Sequence, residues 1–139
     1  MNYLLDTCVI SELLKPRPSQ KVVTWIDSIE EEKLYISVIT IGEFEKGISK
    51  LPTSSKKDRI SDWLNEDLLI RFKGRILDLD VNTLIKWGQI VANLENQCRK
   101  IPAVDSLIAA TVLQHDLCLV TRNIQDFQNC SIKILNPWE

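Results

Sequence analysis

The stretch Tyr3-Leu-Leu-Asp-Thr-Cys-Val-Ile-Ser-Glu-Leu-Leu14 decides the fold class. A short apolar run meets an aspartate, and apolar residues resume almost at once. Tyr3 to Leu5 suits a buried strand. Val9 to Leu14 reads as a short helix, stopped by Pro16 and Pro18 because proline cannot continue the helical hydrogen-bond ladder. The pattern then repeats. Ser19 is a fair N-cap for a helix that places Val22, Val23, Ile26 and Ile29 on one face. Leu34 to Ser37 is a second strand, and Ile41 to Leu51 a helix carrying Phe44 and Ile48. Ser54 to Asn65 reads as helix and Ile76-Leu77 as a third strand. Asp80 caps a helix from Val81 to about Gln97, with Leu84, Ile85, Gly88, Val91 and Leu94 along one side. Pro102 opens another through Leu107, Ile108, Thr111 and Val112. Cys118 to Thr121 is a strong strand and Ile132 to Leu135 a weaker last one. Alternation of this kind predicts an α/β fold, with a central, mostly parallel sheet flanked by helices on both faces. Without repeats or long loops, residues 1–139 are expected to form a single domain.

Bulk properties narrow the function. A formal net charge of -2 is unlike a general nucleic-acid coat, although a local basic rim would serve a short RNA contact. The opening residues do not resemble a secretory signal, and no stretch is apolar for the length of a membrane span, so a cytoplasmic protein without membrane contact is expected. Cys8, Cys98, Cys118 and Cys130 form no Cys-x-x-Cys pair and are expected as free thiols. A single histidine, His115, excludes a His-cluster zinc site and falls where a helix ends.

Acidity alone says nothing in a chain with 19 acidic residues, but position does. Asp6 follows the first strand, Glu43 lies just past the second, and Asp126 lies just past the Cys118–Thr121 strand. Asp105 sits in the first turn after Pro102. Open α/β sheets bind ligands at the carboxyl ends of their strands. Asp6, Glu43 and Asp105 are embedded in core-forming sequence without a local Lys or Arg. Such carboxylates are costly unless paired or bound to metal. A hard cation such as Mg²⁺ or Mn²⁺ would offset their repulsion and suit phosphodiester hydrolysis. Three of the four also have a structural role open to them, and Glu43, inside an apolar helix face, is the hardest to explain that way. Asp6 can cap a helix, Asp105 can favour a helix N-terminus, and Asp126 can belong to a turn.

Taken together, these segments resemble PIN-domain ribonucleases, and among them the VapC-type toxins of bacterial toxin–antitoxin pairs. The opening stretch resembles the family's first motif and Ser37-Val-Ile-Thr-Ile-Gly-Glu-Phe-Glu-Lys-Gly47 the second. Ile101-Pro-Ala-Val-Asp-Ser-Leu-Ile-Ala-Ala-Thr111 resembles the third, Leu119-Val-Thr-Arg-Asn-Ile-Gln-Asp-Phe127 the fourth, and Asn136-Pro-Trp138 the ending. The resemblance implies a PIN fold and an Mg²⁺- or Mn²⁺-dependent endoribonuclease acting on RNA such as tRNA or rRNA. Asp6, Glu43, Asp105 and Asp126 are its implied metal-binding and catalytic residues, with Thr7, Thr121 and Asn123 as auxiliary groups. It also implies a homodimer and a cognate VapB-like antitoxin, in a heterotetramer or a larger assembly. Two departures are Cys8, where many relatives carry a small polar residue, and Asn123, where some carry Asp.

Lys46, Lys50 and Arg122 are candidate RNA contacts, each with a solvated-surface role as the alternative. The four tryptophans, Trp25, Trp63, Trp87 and Trp138, are candidates for base stacking but fit core or interface better. Among rivals, a Mg²⁺-dependent phosphohydrolase with Asp6 as nucleophile would want a second Asp at position 8, where Cys8 stands. A phosphate-accepting signalling domain would want adjacent acidic residues near the first strand and a lysine late in the chain, and that set is not seen. Gly-rich nucleotide-binding loops are absent. A catalytically silent PIN-like RNA-binding or regulatory module would be expected to have lost its carboxylates.

Overall fold

A computed structural model describes residues 1–139. Five strands form one parallel sheet: β1 (Tyr3–Leu5), β2 (Leu34–Ser37), β3 (Ile76–Leu77), β4 (Cys118–Val120) and β5 (Lys133–Leu135), in the order β3-β2-β1-β4-β5. The chain builds outward from β1 to β2 and β3, then returns to the other side of β1 for β4 and β5. Direction therefore reverses at the β1–β4 junction, where a crevice opens beyond the strand ends.

β1 is central and buried on both faces, as its unbroken apolar run requires. Leu5 joins the core beneath α1 (Thr7–Leu13), α2 (Gln20–Ser28) and α3 (Val38–Ser49), with Val9, Val22, Ile36 and Phe72. Leu4 points to the opposite core, built with Leu119 and Phe127 under α6 (Val81–Asn96) and α7 (Ala103–Gln114). Period-2 alternation of side chains sends these neighbours to opposite faces. Helices thus cover both sides of the sheet, as expected from the alternating pattern.

Three local readings need correction. α3 begins at Val38, directly off β2, because the Ser37 hydroxyl caps it by accepting from the Ile39 N–H at 3.1 Å. Helix after Ser54 does not end at Asn65. α4 (Ser55–Asp62) passes into a π-helical turn, Trp63–Leu68, and then α5 (Leu69–Arg71). Gly74, at φ +81°, makes the left-handed turn that returns the chain to β3. In α6 the core side is Thr83, Trp87, Ile90 and Leu94, whereas Leu84, Ile85 and Gly88 face solvent. Apolar residues occupy both sides of this helix, so periodicity alone could not choose between them. His115 ends α7, as read from the sequence.

Because Leu4 and Leu5 are both 1% exposed, each on its own face, Leu4→Ala and Leu5→Ala should each cost about 2–5 kcal/mol in urea unfolding. A cost below about 1 kcal/mol for either would mean that its face is not packed.

Candidate metal centre

Parallel pairing places residue 6 beside residue 121. Leu5 is in register with Val120, and the Asp6 N–H donates to the Val120 carbonyl at 3.0 Å. Both chains leave the sheet there, and their side chains meet. The Thr121 hydroxyl donates to Asp6 Oδ2 at 2.8 Å, while the Thr7 N–H donates to Oδ1 at 2.8 Å. Asp6 is therefore the N-cap of α1 and also the floor of the crevice, 8% exposed. Capping and site roles coexist in one side chain.

Glu43 arrives from α3, in the second turn after β2. Thr7 Oγ1 donates to Glu43 Oε1 at 2.6 Å and lies 3.1 Å from the buried Thr40 hydroxyl. Glu43 is exposed, contrary to its reading as a carboxylate embedded in an apolar helix face. Its apolar neighbours Ile41, Phe44 and Ile48 turn inward around it, and the carboxylate points out at the crevice.

α7 runs back against the strand direction before β4, so its N-terminus lies at the strand carboxyl ends. Asp105, in its first turn, is half-buried there. Asp126 lies in a single helical turn, α8 (Ile124–Phe127), whose N-cap is Asn123. The Asn123 N–H donates to Thr121 Oγ1 at 3.1 Å, which fixes this loop to the same hydroxyl that holds Asp6. The Asn123 side chain makes no cap bond.

The electrostatics show that the four carboxylates share a field. Burial first, and then the charges of Asp126, Asp6 and Glu43, together push the Asp105 carboxyl up to about 6 from its ordinary 3.8. Asp6 is also raised, chiefly by burial. Its bonds from Thr121 and Thr7 oppose the shift, and Glu43 and Asp126 add to it. None of the five ion pairs in the structure involves these four residues. Acidic groups collected without a counter-charge make a site for a cation. All four offer only oxygen, which suits a hard divalent ion and not zinc. No three of them stand close enough to enclose one ion directly.

Of the remaining sequence candidates, Lys46 and Lys50 are exposed on α3, at positions that follow Glu43 by one and two helical turns, and neither is ion-paired. Arg122 projects from the loop between Thr121 and Asn123. Cys8 packs its thiol 3.6 Å from Thr121 Oγ1 and 3.9 Å from Asp6 Oδ2, and burial raises its pKa. All four cysteines are free thiols. Two residues escaped the sequence reading. Thr40 lies one turn before Glu43, a spacing that would have revealed it. Glu12 is a buried carboxylate, 5% exposed, turned away from the crevice. It accepts from Lys15 Nζ at 3.0 Å, the Ser19 N–H at 3.0 Å and the Trp138 indole N–H at 3.2 Å.

Beside the crevice runs an apolar groove of about 560 Å³, lined by Leu14, Phe44, Ile48, Ile60 and Trp63, with Arg59 at its rim. Thr7 and Glu43 belong to both the groove and the crevice.

The sequence profile described as PIN domain matches residues 3–131. The chain is a PIN-domain protein of the VapC type. It is 38% identical to Toxin FitB of Neisseria gonorrhoeae over 135 residues, covering 97% of each chain. It is 33% identical to VapC ribonuclease Y4jK of Sinorhizobium fredii over 136 residues, or 98% of this chain and 97% of that one. Among solved structures, that of FitAB bound to an IR36 DNA fragment superposes with a TM-score of 0.92 at 36% identity, over 99% of this chain and 96% of that one. The five-stranded parallel sheet with helices on both faces is thus the PIN fold of this family.

The raised Asp105 carboxyl gives this PIN domain a signature in stability. Between pH 3.8 and about 6 the folded chain holds a proton that the unfolded chain has released, so rising pH favours unfolding across that window. In EDTA, the stability of Asp105→Asn minus that of wild type should climb from pH 4 to about 6 and then level off. A pH-independent difference would show that Asp105 does not feel its acidic neighbours.

Proposed function

We propose that this protein is a Mg²⁺- or Mn²⁺-dependent endoribonuclease, the toxin of a VapBC-type pair, which cleaves tRNA, rRNA or another RNA of translation in the cytoplasm. The carrying observation is the convergence of Asp6, Glu43, Asp105 and Asp126, from four separate elements, on one crevice with no cationic side chain paired to them. The chain's likeness to proteins named VapC ribonuclease and Toxin FitB supplies the reaction class and the biological role. No helix is long and apolar enough to cross a membrane.

In this reading all four carboxylates hold the ion, directly or through its waters. A bound divalent ion supplies an activated water and charge stabilisation for the leaving oxygen. Thr121 and the Thr7 N–H fix Asp6, and the Thr7 hydroxyl, itself against Thr40, fixes Glu43. Asn123 orders the loop that carries Asp126. Lys46, Lys50 and Arg122 take up phosphates beside the scissile bond. The alternative in which Asp6 attacks phosphorus fares poorly, because both its oxygens are engaged and the side chain is buried. A silent binding module has no use for four unpaired carboxylates.

The apolar groove suits a VapB-like antitoxin, whose tail would cover the crevice from the Thr7–Glu43 wall. We assign self-association to the exposed Val81, Leu84 and Ile85 on α6, giving a homodimer that joins antitoxin in a heterotetramer or larger complex. The FitAB–DNA structure leads us to expect that the complex, like FitAB, binds DNA.

Asp6→Asn, Glu43→Gln and Asp105→Asn should each reduce RNA cleavage by more than the roughly 10–100-fold typical of losing a ligand's outer partner, with folding intact by circular dichroism. Thr121→Val should fall within that range. EDTA should abolish cleavage and Mn²⁺ restore it. A fully active Asp105→Asn protein would reject the assignment. Ile48→Asp would unfold the core, so the groove is better tested at its rim. Trp63→Ala with Arg59→Ala should weaken capture of co-expressed antitoxin while leaving cleavage of a short RNA near wild type. Unchanged capture would move the antitoxin elsewhere.

A further inference from the structure

The C-terminal Asn136-Pro-Trp138 is far from the acidic crevice in sequence, yet it is built into the loop at the crevice's edge. β5 lies beside β4, and the Thr121 N–H donates to the Leu135 carbonyl at 3.0 Å. The chain then turns, with the Trp138 N–H donating to Asn136 Oδ1 at 2.9 Å. The indole is held at its edge by its N–H bond to Glu12 Oε1 at 3.2 Å. Glu12 is itself immobile, because Lys15 and the Ser19 N–H occupy its carboxylate and the side chain is buried. Over the ring sits the guanidinium of Arg122, its carbon 5.1 Å from the ring centroid. Arg122 is exposed and belongs to no ion pair.

We propose that Trp138 is a positioning residue, a fixed aromatic platform that holds Arg122 ready to clasp a phosphate of RNA entering the acidic crevice. A cation over an aromatic face is attracted through that face. Its in-plane N–H donors stay free, and those donors match two phosphate oxygens. A long flexible side chain held this way gives up less freedom on binding. The platform also gives a role to Glu12, which is buried and fully bonded. It anchors the indole, and α1 starts from Asp6, so metal site and phosphate site share one rigid element. Trp138 is therefore not a base-stacking surface, because its face is already occupied.

This inference rests on the ribonuclease reading, and the test separates the two. A labelled single-stranded RNA is titrated, with Mg²⁺ present, against full-length Asp105→Asn protein, in which binding is read without cleavage. In that background Arg122→Ala and Trp138→Leu should each weaken binding roughly three- to tenfold, the scale of one cation–π-supported contact. Arg122→Ala should also flatten the salt dependence by about one phosphate contact. The double variant should bind no worse than Arg122→Ala alone. Trp138→Phe keeps a ring for Arg122 but loses the N–H bond to Glu12, and should bind between the parent and Trp138→Leu. In the active protein, Trp138→Leu should raise KM with kcat little changed. Independent, multiplying effects of the two substitutions, or Trp138→Leu binding like its parent, would overturn the proposal. If Trp138→Leu does not fold, a Trp138→Phe protein that folds and binds as weakly as Arg122→Ala would overturn it equally. RNA bound normally but never cut by the wild-type chain would sink only the ribonuclease reading. RNA not bound at all by the parent would sink both.

Discussion

The hydrogen bond from Thr121 to Asp6 spans 115 residues and depends wholly on the β1–β4 register. A slip by one residue would turn every side chain of β1 to the other face. A slip in one direction would bury Asp6 in the core that Leu5 now fills, and a slip in the other would put Leu5 at the crevice in place of Asp6. Both cores forbid that, because Leu4 and Leu5 fill opposite sides of the sheet. The packing of two ordinary leucines therefore fixes where the first acidic group points. The acidic crevice inherits its precision from the apolar register of the central strand.

Gathering acids opposes folding, and the structure limits the cost in specific ways. Only Asp6 is buried outright, and it receives two hydrogen bonds in return. Asp105 is half-buried, and Glu43 and Asp126 reach solvent. The penalty collects on Asp105, which has three acidic neighbours and no donor of comparable strength. Glu12 shows the other solution. It is as buried as Asp6, but it is bonded to Lys15, Ser19 and Trp138, and its pKa is lowered by Lys15 first and Ser19 next. One carboxylate is satisfied within the protein, and the others keep no cationic partner.

Much of this was legible in the sequence, for identifiable reasons. Uninterrupted apolar runs such as Cys118–Val120 announced buried parallel strands, and carboxylates at their ends announced the crevice. The side of α6 that packs was not legible, because Leu84 and Ile85 are as apolar as Ile90 and Leu94. The exposure of Glu43 was hidden too, since apolar neighbours look alike whether they surround a side chain or turn away from it. The π-helical turn at Trp63–Leu68 leaves no periodicity mark of its own. Glu12 and Trp138 lie 126 residues apart, and nothing local in either segment indicates their bond.

The wall shared by groove and crevice has a thermodynamic consequence. Thr7 touches Glu43 through its hydroxyl and Asp6 through its N–H, and it also lines the apolar groove. A protein segment in that groove that shifts Thr7 acts on both carboxylates at once. Linkage requires the effect to run both ways, so an ion or RNA in the crevice must alter the affinity of the groove by the same factor. A partner that only covered the opening would compete with substrate and leave the ion's affinity unchanged. A partner that moves Thr7 changes the ion's affinity as well. The position of this one threonine, between an apolar seat and an acidic one, gives a bound partner a direct physical route to the acidic crevice.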